Sequence, residues 1–228
     1  MTAPTSKAPK AELSAAEQAL RDAALEYHRR TIVLAGATDE VPYRLGERPS
    51  PVTERGDAEQ VPLDASVAGL LLDDAAGITR ARSFPGLGTF HFRRYSSAGA
   101  LHPLEAYVAA PGGLYAYDPV APALVRLAAY DARPALAAAV AQPAEAEAVV
   151  VVTGVLARTA WKYGERGYRH VWWDAGTMLA NLLALAAADG LEPRLYTAFV
   201  DAEVNDALGI DGEHEYALAL LALDGGRT

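Results

Sequence analysis

The chain contains no cysteine in its 228 residues. Disulfides, thiolate nucleophiles, iron–sulfur clusters and cysteine-based zinc sites are therefore excluded, and nothing demands an oxidising compartment. Any redox chemistry must come from a bound cofactor. Positive charge is scarce too: 20 Lys and Arg face 29 Asp and Glu, for a formal net charge of −9. No run of basic residues concentrates enough charge to hold a polyphosphate, so nucleic acid is not expected as a partner. No uninterrupted apolar segment approaches the roughly 20 residues of a membrane helix. Residues 1–10 are polar and proline-containing with no apolar stretch behind them, unlike a secretory signal, and a cytoplasmic location is expected. The five histidines, His28, His91, His102, His170 and His214, lack both the four-residue helical spacing and the carboxylates of a metal site. Neither Gly-x-Gly-x-x-Gly nor a phosphate-binding Gly-x-x-x-x-Gly-Lys-Ser occurs, which leaves a Rossmann or P-loop site without support.

What remains is the composition of a globular protein, 51% hydrophobic and 21% charged, long enough for one sizeable core. The apolar period of residues 11–30 predicts an amphipathic helix with Ser14 near its start. Prolines 42, 49, 51 and 62 break residues 38–64 into an irregular connection. A short helix is expected over 65–76, then a Gly- and Pro-punctuated segment, 83–88. Strands are expected at 104–110 and 114–118, joined through Pro111-Gly112-Gly113. Helix 131–141 and the β-branched strand 148–156 follow. A long helix over 171–189 ends at Gly190. Strand 194–200, helix 201–208 and strand 215–223 complete the chain. The order implies an α+β fold with an N-terminal helix and connection, residues 1–64, and a core, 65–228, in one domain overall.

Two ordered segments carry the chemistry. The first runs Arg93-Arg94-Tyr95-Ser96-Ser97-Ala98-Gly99-Ala100-Leu101-His102-Pro103-Leu104-Glu105, followed by Gly113-Leu114-Tyr115-Ala116-Tyr117-Asp118-Pro119. The second is Lys162-Tyr163-Gly164-Glu165-Arg166-Gly167-Tyr168-Arg169, with Asp174-Ala175-Gly176 and Asn181-Leu182 after it. Together with the C-terminal stretch through Phe199-Val200-Asp201 to Glu215, they resemble the peptide-azoline dehydrogenases of the SagB and McbC type, over roughly residues 93–223. The first ninety residues match poorly. The Arg-Arg-Ser flavin-phosphate motif is missing, and Arg29-Arg30-Thr31 is only a loose echo. Ser96 stands where the family often has Pro, and Asp174 where Glu is common.

The resemblance implies a nitroreductase-like fold, a mixed and mostly antiparallel sheet flanked by helices, usually a homodimer that binds FMN. It implies oxidation of thiazoline or oxazoline rings to azoles in a ribosomally made peptide, with a separate cyclodehydratase as partner. Under it Lys162 and Tyr163 are the catalytic pair. Removing a hydride from one ring carbon and a proton from its neighbour needs a base, and a desolvated lysine serves. Arg93, Arg94, Ser96 and Ser97 supply cations and hydroxyls for the cofactor, Gly99 lets the backbone approach the ring, and the resemblance places Leu101 in the same cofactor-binding set. Arg166 and Arg169 are further candidates, or salt-bridge partners of Glu165 or Asp174. The amide of Asn181 pairs with either the backbone or the cofactor. Trp172-Trp173 fits a core or a dimer contact better than a cofactor platform. Two other readings stay open: an NAD(P)H-dependent reductase of nitro or quinone compounds, and a flavin-free scaffold in a peptide-modifying complex.

Overall fold

The computed structural model describes residues 14–32, 48–140 and 146–225, and the chain's contacts fall into two units, Met1–Asp39 and Glu40–Thr228. Residues 1–13 and 38–47, on which parts of the sequence reading fall, lie outside the described residues. In the first unit Ser14 and Glu17 form a reciprocal capping box that starts α1 (Ala15–Thr31). The Ser14 hydroxyl accepts from the Glu17 N–H, while the Glu17 carboxylate accepts from the Ser14 N–H at 2.8 Å, which satisfies two amides a helix start otherwise leaves open.

The second unit runs β1 (Gln60–Val61), α2 (Val67–Ala76), β2 (Ile78–Phe84), β3 (Gly88–Arg93), β4 (Leu104–Ala110), β5 (Gly113–Asp118), β6 (Ala123–Ala128), α3 (Arg133–Ala138), β7 (Ala148–Gly154), α4 (Leu156–Tyr163), α5 (Gly167–Ala188), β8 (Glu192–Tyr196), α6 (Asp201–Leu208) and β9 (Tyr216–Asp224). Seven strands form one sheet in the order β1-β6-β5-β4-β7-β9-β8, and β2 with β3 forms a separate hairpin. Every pairing among the described strands is antiparallel, so the parallel component expected of a mixed sheet is not among them. Val149–Val152 sit at the centre of β7, paired to β4 on one side and β9 on the other. Such a strand reads as a continuous apolar run because both of its faces are covered.

Alternation along the strands sorts the core into two layers. Leu104, Ala106, Val108, Val150 and Val152 meet Leu71, Leu72, Met178 and Leu182 of α2 and α5. Tyr107, Ala109, Val151 and Leu220 meet Leu136 of α3 and Val204 and Leu208 of α6. The architecture is helices, sheet, helices, an α+β arrangement as expected. The helical run Leu156–Ala188 contains an 18-residue window of mean hydropathy 1.2, apolar enough by length and composition to cross a membrane. The sequence reading did not anticipate such a stretch. Its Val171, Ala175, Met178, Leu182 and Ala186 pack into the core instead.

Several elements depart from the sequence expectation, among them the strand expected at 194–200, which is observed as β8, Glu192–Tyr196. The Gly- and Pro-rich break at 83–88 is the turn of the β2–β3 hairpin. The Ala- and Leu-rich β6 follows its pairing with β5 rather than helix propensity. Helix α4, which carries Lys162 and Tyr163, precedes the long helix, and α5 closes against it. Gly167 makes that approach possible, since a Cβ there would lie 2.7 Å from the Ala160 nitrogen.

Candidate active site

The segment that leaves β3 is held by one polar face of α5. Asp174, Thr177 and Asn181 recur at three- and four-residue steps, and each is bonded to this loop. The Asp174 carboxylate accepts from the Ser97 hydroxyl at 2.5 Å and from the Ala98 N–H at 3.1 Å. The Thr177 hydroxyl donates to the Ser96 carbonyl at 2.8 Å, and the Asn181 amide donates to the carbonyls of Ala75 and Arg94 at 3.2 and 3.3 Å. The Ser97 oxygen also accepts from the His102 N–H at 2.9 Å. A tight turn results, with Gly99 at φ +63° and two non-glycine residues, Ala100 and His102, at φ +53° and +45°. Conformations this uncommon persist only where surrounding contacts fix them, and they gather at functional sites.

Burial pushes the Asp174 carboxyl up to about 6, against the pull of Ser97 and Ala98. Because the folded chain holds this proton more tightly than the unfolded one, the contribution is fully present below the usual 3.8 and is lost as pH rises through about 6. A two-unit shift on a buried group corresponds to about 3 kcal/mol. Asp174→Asn is therefore expected to remove about that much pH dependence between pH 4 and 7, measured as the change in the parent-minus-variant unfolding free energy. A constant difference across the range would refute the assignment.

Lys162 and Tyr163 end α4 directly opposite this turn. A Cβ built on Gly99 would lie 3.0 Å from the Tyr163 hydroxyl and 3.1 Å from the Lys162 Nζ. The Lys162 Nζ lies 5.3 Å from the Tyr163 ring centroid. The Tyr163 ring packs on His170 at 4.1 Å between centroids, His170 meets Trp173 edge-on, and the Arg166 guanidinium lies over Trp173 at 5.4 Å. Burial, then Arg166 and then Lys162, hold the His170 imidazole below its usual range. It is a neutral ring beside the phenol.

Behind the turn lies a buried ion pair. The Arg158 Nη2 meets the Glu105 Oε1 at 2.5 Å, with the two side chains only 4% and 3% exposed. The same carboxylate oxygen accepts from the N–H and hydroxyl of Thr53, both at 3.0 Å, and Arg158 donates onward to the carbonyls of Ser50 and His102. Residues 50–53 are thereby tied to β4 and α4.

The residues singled out from sequence are thus distributed as follows. Gly99, Lys162 and Tyr163 come together at one place, and Arg166 stands near them through Trp173. Arg93 points inward and donates to the Pro51 carbonyl at 3.0 Å, whereas Arg94 is exposed. The Ser97 hydroxyl is bonded within the turn, Ser96 is exposed and Leu101 is buried. Arg169 lies in the first turn of α5, half-buried. Of the two uses open to Asn181, the structure shows the backbone one. His170, Thr177 and Tyr95 were missed. The period that could have found Thr177 was present, since it stands midway between Asp174 and Asn181 on one helical face.

A family model for the nitroreductase family matches residues 57–226. The chain belongs to the nitroreductase family. A relative from Methanocaldococcus jannaschii that carries the name of a nitroreductase is 31% identical over 169 residues, covering 70% of this chain and 80% of the relative. A solved structure from Anabaena variabilis, also named as a nitroreductase, superposes with a TM-score of 0.78 at 29% identity over 88% of this chain; the chain spans only 45% of that protein. At the level of fold alone, a chain of the Escherichia coli microcin synthetase McbBCD complex, solved with truncated pro-MccB17 bound, superposes with a TM-score of 0.60 at 21% identity, over 96% of this chain and 100% of that one.

Proposed function

We infer that this nitroreductase-family chain is an FMN-dependent oxidoreductase that dehydrogenates thiazoline or oxazoline rings carried by a peptide. The observation that carries the reading is the meeting of the Gly99 turn with the Lys162 amine and the Tyr163 phenol. The residues fit a flat cofactor. Gly99 presents bare backbone to both groups, so a ring lying there needs only the far ends of the Lys162 and Tyr163 side chains to give way, and the cleft of about 550 Å³ beside it, walled by Phe84, Phe90 and Phe92 and edged by Arg94 and Ser96, is left for substrate. Ordinary small-molecule sites span about 300–1,000 Å³.

When bound, FMN supplies the acceptor for hydride. The chain's own residues do the rest. Lys162 takes the proton from the neighbouring ring carbon, Tyr163 orients the ring through its hydroxyl, and Asp174 keeps the turn in place. His170 packs on Tyr163 and fixes its ring. The likeness in fold to a chain of a microcin synthetase complex bound to truncated pro-MccB17 supports a peptide substrate and a partner complex, with a cytoplasmic homodimer as the proposed working form. The M. jannaschii relative's name favours the second reading, an NAD(P)H-dependent reductase.

Purified protein incubated with FMN is expected to turn yellow, with a flavin spectrum retained after gel filtration. Anaerobic mixing with an azoline peptide is expected to bleach that spectrum, and NADPH is expected to leave it unchanged within the same period. Bleaching by NADPH alone selects the reductase. A colourless protein that takes up no FMN selects the flavin-free scaffold.

A further inference from the structure

The cleft beside the turn has features that the ring-binding reading leaves unused. Three side chains on its floor carry polar atoms with no hydrogen-bond partner among the described residues: the Arg93 Nε, the Tyr95 hydroxyl and both ring nitrogens of His102. They are 8%, 3% and 2% exposed. Buried polar groups are nearly always satisfied, and an unpaired one costs the free energy of its lost hydration. Three on one cavity wall, with His102 held at positive φ to stand there, describe a place prepared for a guest. Tyr95 and His102 meet edge-on at 5.1 Å. Burial lifts the phenol to about 12 and drops the imidazole to about 3, so one is a neutral hydroxyl and the other a neutral ring that can donate from one nitrogen. Arg93 adds a fixed cation.

The surroundings have the matching charge. From residue 75 to residue 104 there is no Asp or Glu, although the chain carries nine net negative charges, while Arg80, Arg82, Arg93 and Arg94 fall within that stretch. Arg48, Arg80 and Arg82 lie over the rings of Phe90, Phe92 and Phe84 at 4.0, 4.3 and 5.0 Å. The aromatic wall of the cleft is thus also its cationic rim. Several cations in a row along a hairpin suit a segment with more than one carboxylate better than a lone small acid.

We propose that this cleft recognises an acidic segment of the peptide substrate, one carboxylate seating against Arg93, Tyr95 and His102 while a neighbouring apolar side chain lies on Phe84, Phe90 and Phe92. The assignment deepens the function above by naming a substrate chemistry, and it rests on that reading for the peptide being a substrate.

The test compares two probe peptides, acetyl-Glu-Phe-Glu-Phe-amide and acetyl-Gln-Phe-Gln-Phe-amide, by calorimetric titration of the full chain with and without FMN. The Glu peptide is expected to bind at least about tenfold more tightly, and Tyr95→Phe, which removes only the unpaired hydroxyl, to lower its affinity about tenfold while leaving the Gln peptide unchanged. Without ligand, Tyr95→Phe is expected not to lower the melting temperature, because no partner is lost. Equal binding of both peptides overturns the proposal. So does a lowered melting temperature in Tyr95→Phe, which would show a structural partner for the hydroxyl. Benzoate binding where the Glu peptide does not would assign the cleft to a free aromatic acid, and loss of the Glu peptide on FMN uptake would assign it to the cofactor. If the protein takes up no FMN yet discriminates Glu from Gln through Tyr95, the acidic-peptide site stands and the flavin reading falls.

Discussion

Under the proposed function, Lys162→Ala is expected to lower the rate of azoline oxidation by the FMN-loaded protein by about 10²- to 10⁴-fold, the usual contribution of a positioned general base. The size follows from place. The amine stands at the end of α4 within 3.1 Å of where a Gly99 side chain would begin, so a ring lying on the turn would meet it directly. Lys162 is half-exposed, so its loss should not disturb folding, and FMN affinity reports on that separately. Tyr163→Phe keeps the contact with His170 at 4.1 Å and removes only the hydroxyl. A smaller loss is expected, within which a change in the pH profile of turnover identifies a proton role and a change in KM alone identifies a holding role. Parent rates in both variants, with FMN bound, would remove the catalytic assignment.

How far the sequence reached differs between fold and site for physical reasons. Strands buried on both faces, such as Val149–Val152, and helices with long apolar bodies, such as α5, announce themselves through composition and period. Strand β6 and the β2–β3 hairpin do not. Ala123 and Leu124 favour a helix until β5 supplies a pairing partner, and Arg80, Arg82 and Ser83 look like surface loop and stay exposed, ordered as a strand only by their pairing with β3. The same limit applies at the site. The Gly99 turn was legible from its glycine and hydroxyls, and the Lys162-Tyr163 pair from its block, but nothing local says that the two meet. That depends on α4 and α5 closing around Gly167 and on α5 reaching back to hold residues 94–98. Asn181 shows the converse. Its polar character within an apolar helix was plain, yet whether it served ligand or backbone was decided by a loop nearly ninety residues earlier.

Glu105 carries this lesson into the largest expected effect on stability. In the sequence it closes the Ser-Gly segment and looks like part of the chemistry; in the structure it is the buried counter-charge of Arg158. Arg158→Ala is expected to destabilise the protein by about 3–5 kcal/mol, because it strands a carboxylate that is 3% exposed with only the two Thr53 donors left to it. The bonds from Arg158 to Ser50 and His102 vanish with the same change, so residues 50–53 and the strained turn should loosen together, detectable as faster amide exchange there than in β7. The double variant Arg158→Met with Glu105→Gln separates the effect of the unpaired charge from that of the lost packing. A neutral amide still accepts from Thr53, and the methionine stem refills the arginine's volume, so most of the loss should return in urea unfolding followed by circular dichroism. If the double variant is as unstable as Arg158→Ala, the lost hydrogen bonds rather than the unpaired charge dominate, and the pair acts mainly as a clasp on residues 50–53. In either case the turn that faces Lys162 depends on an ion pair that lies behind it.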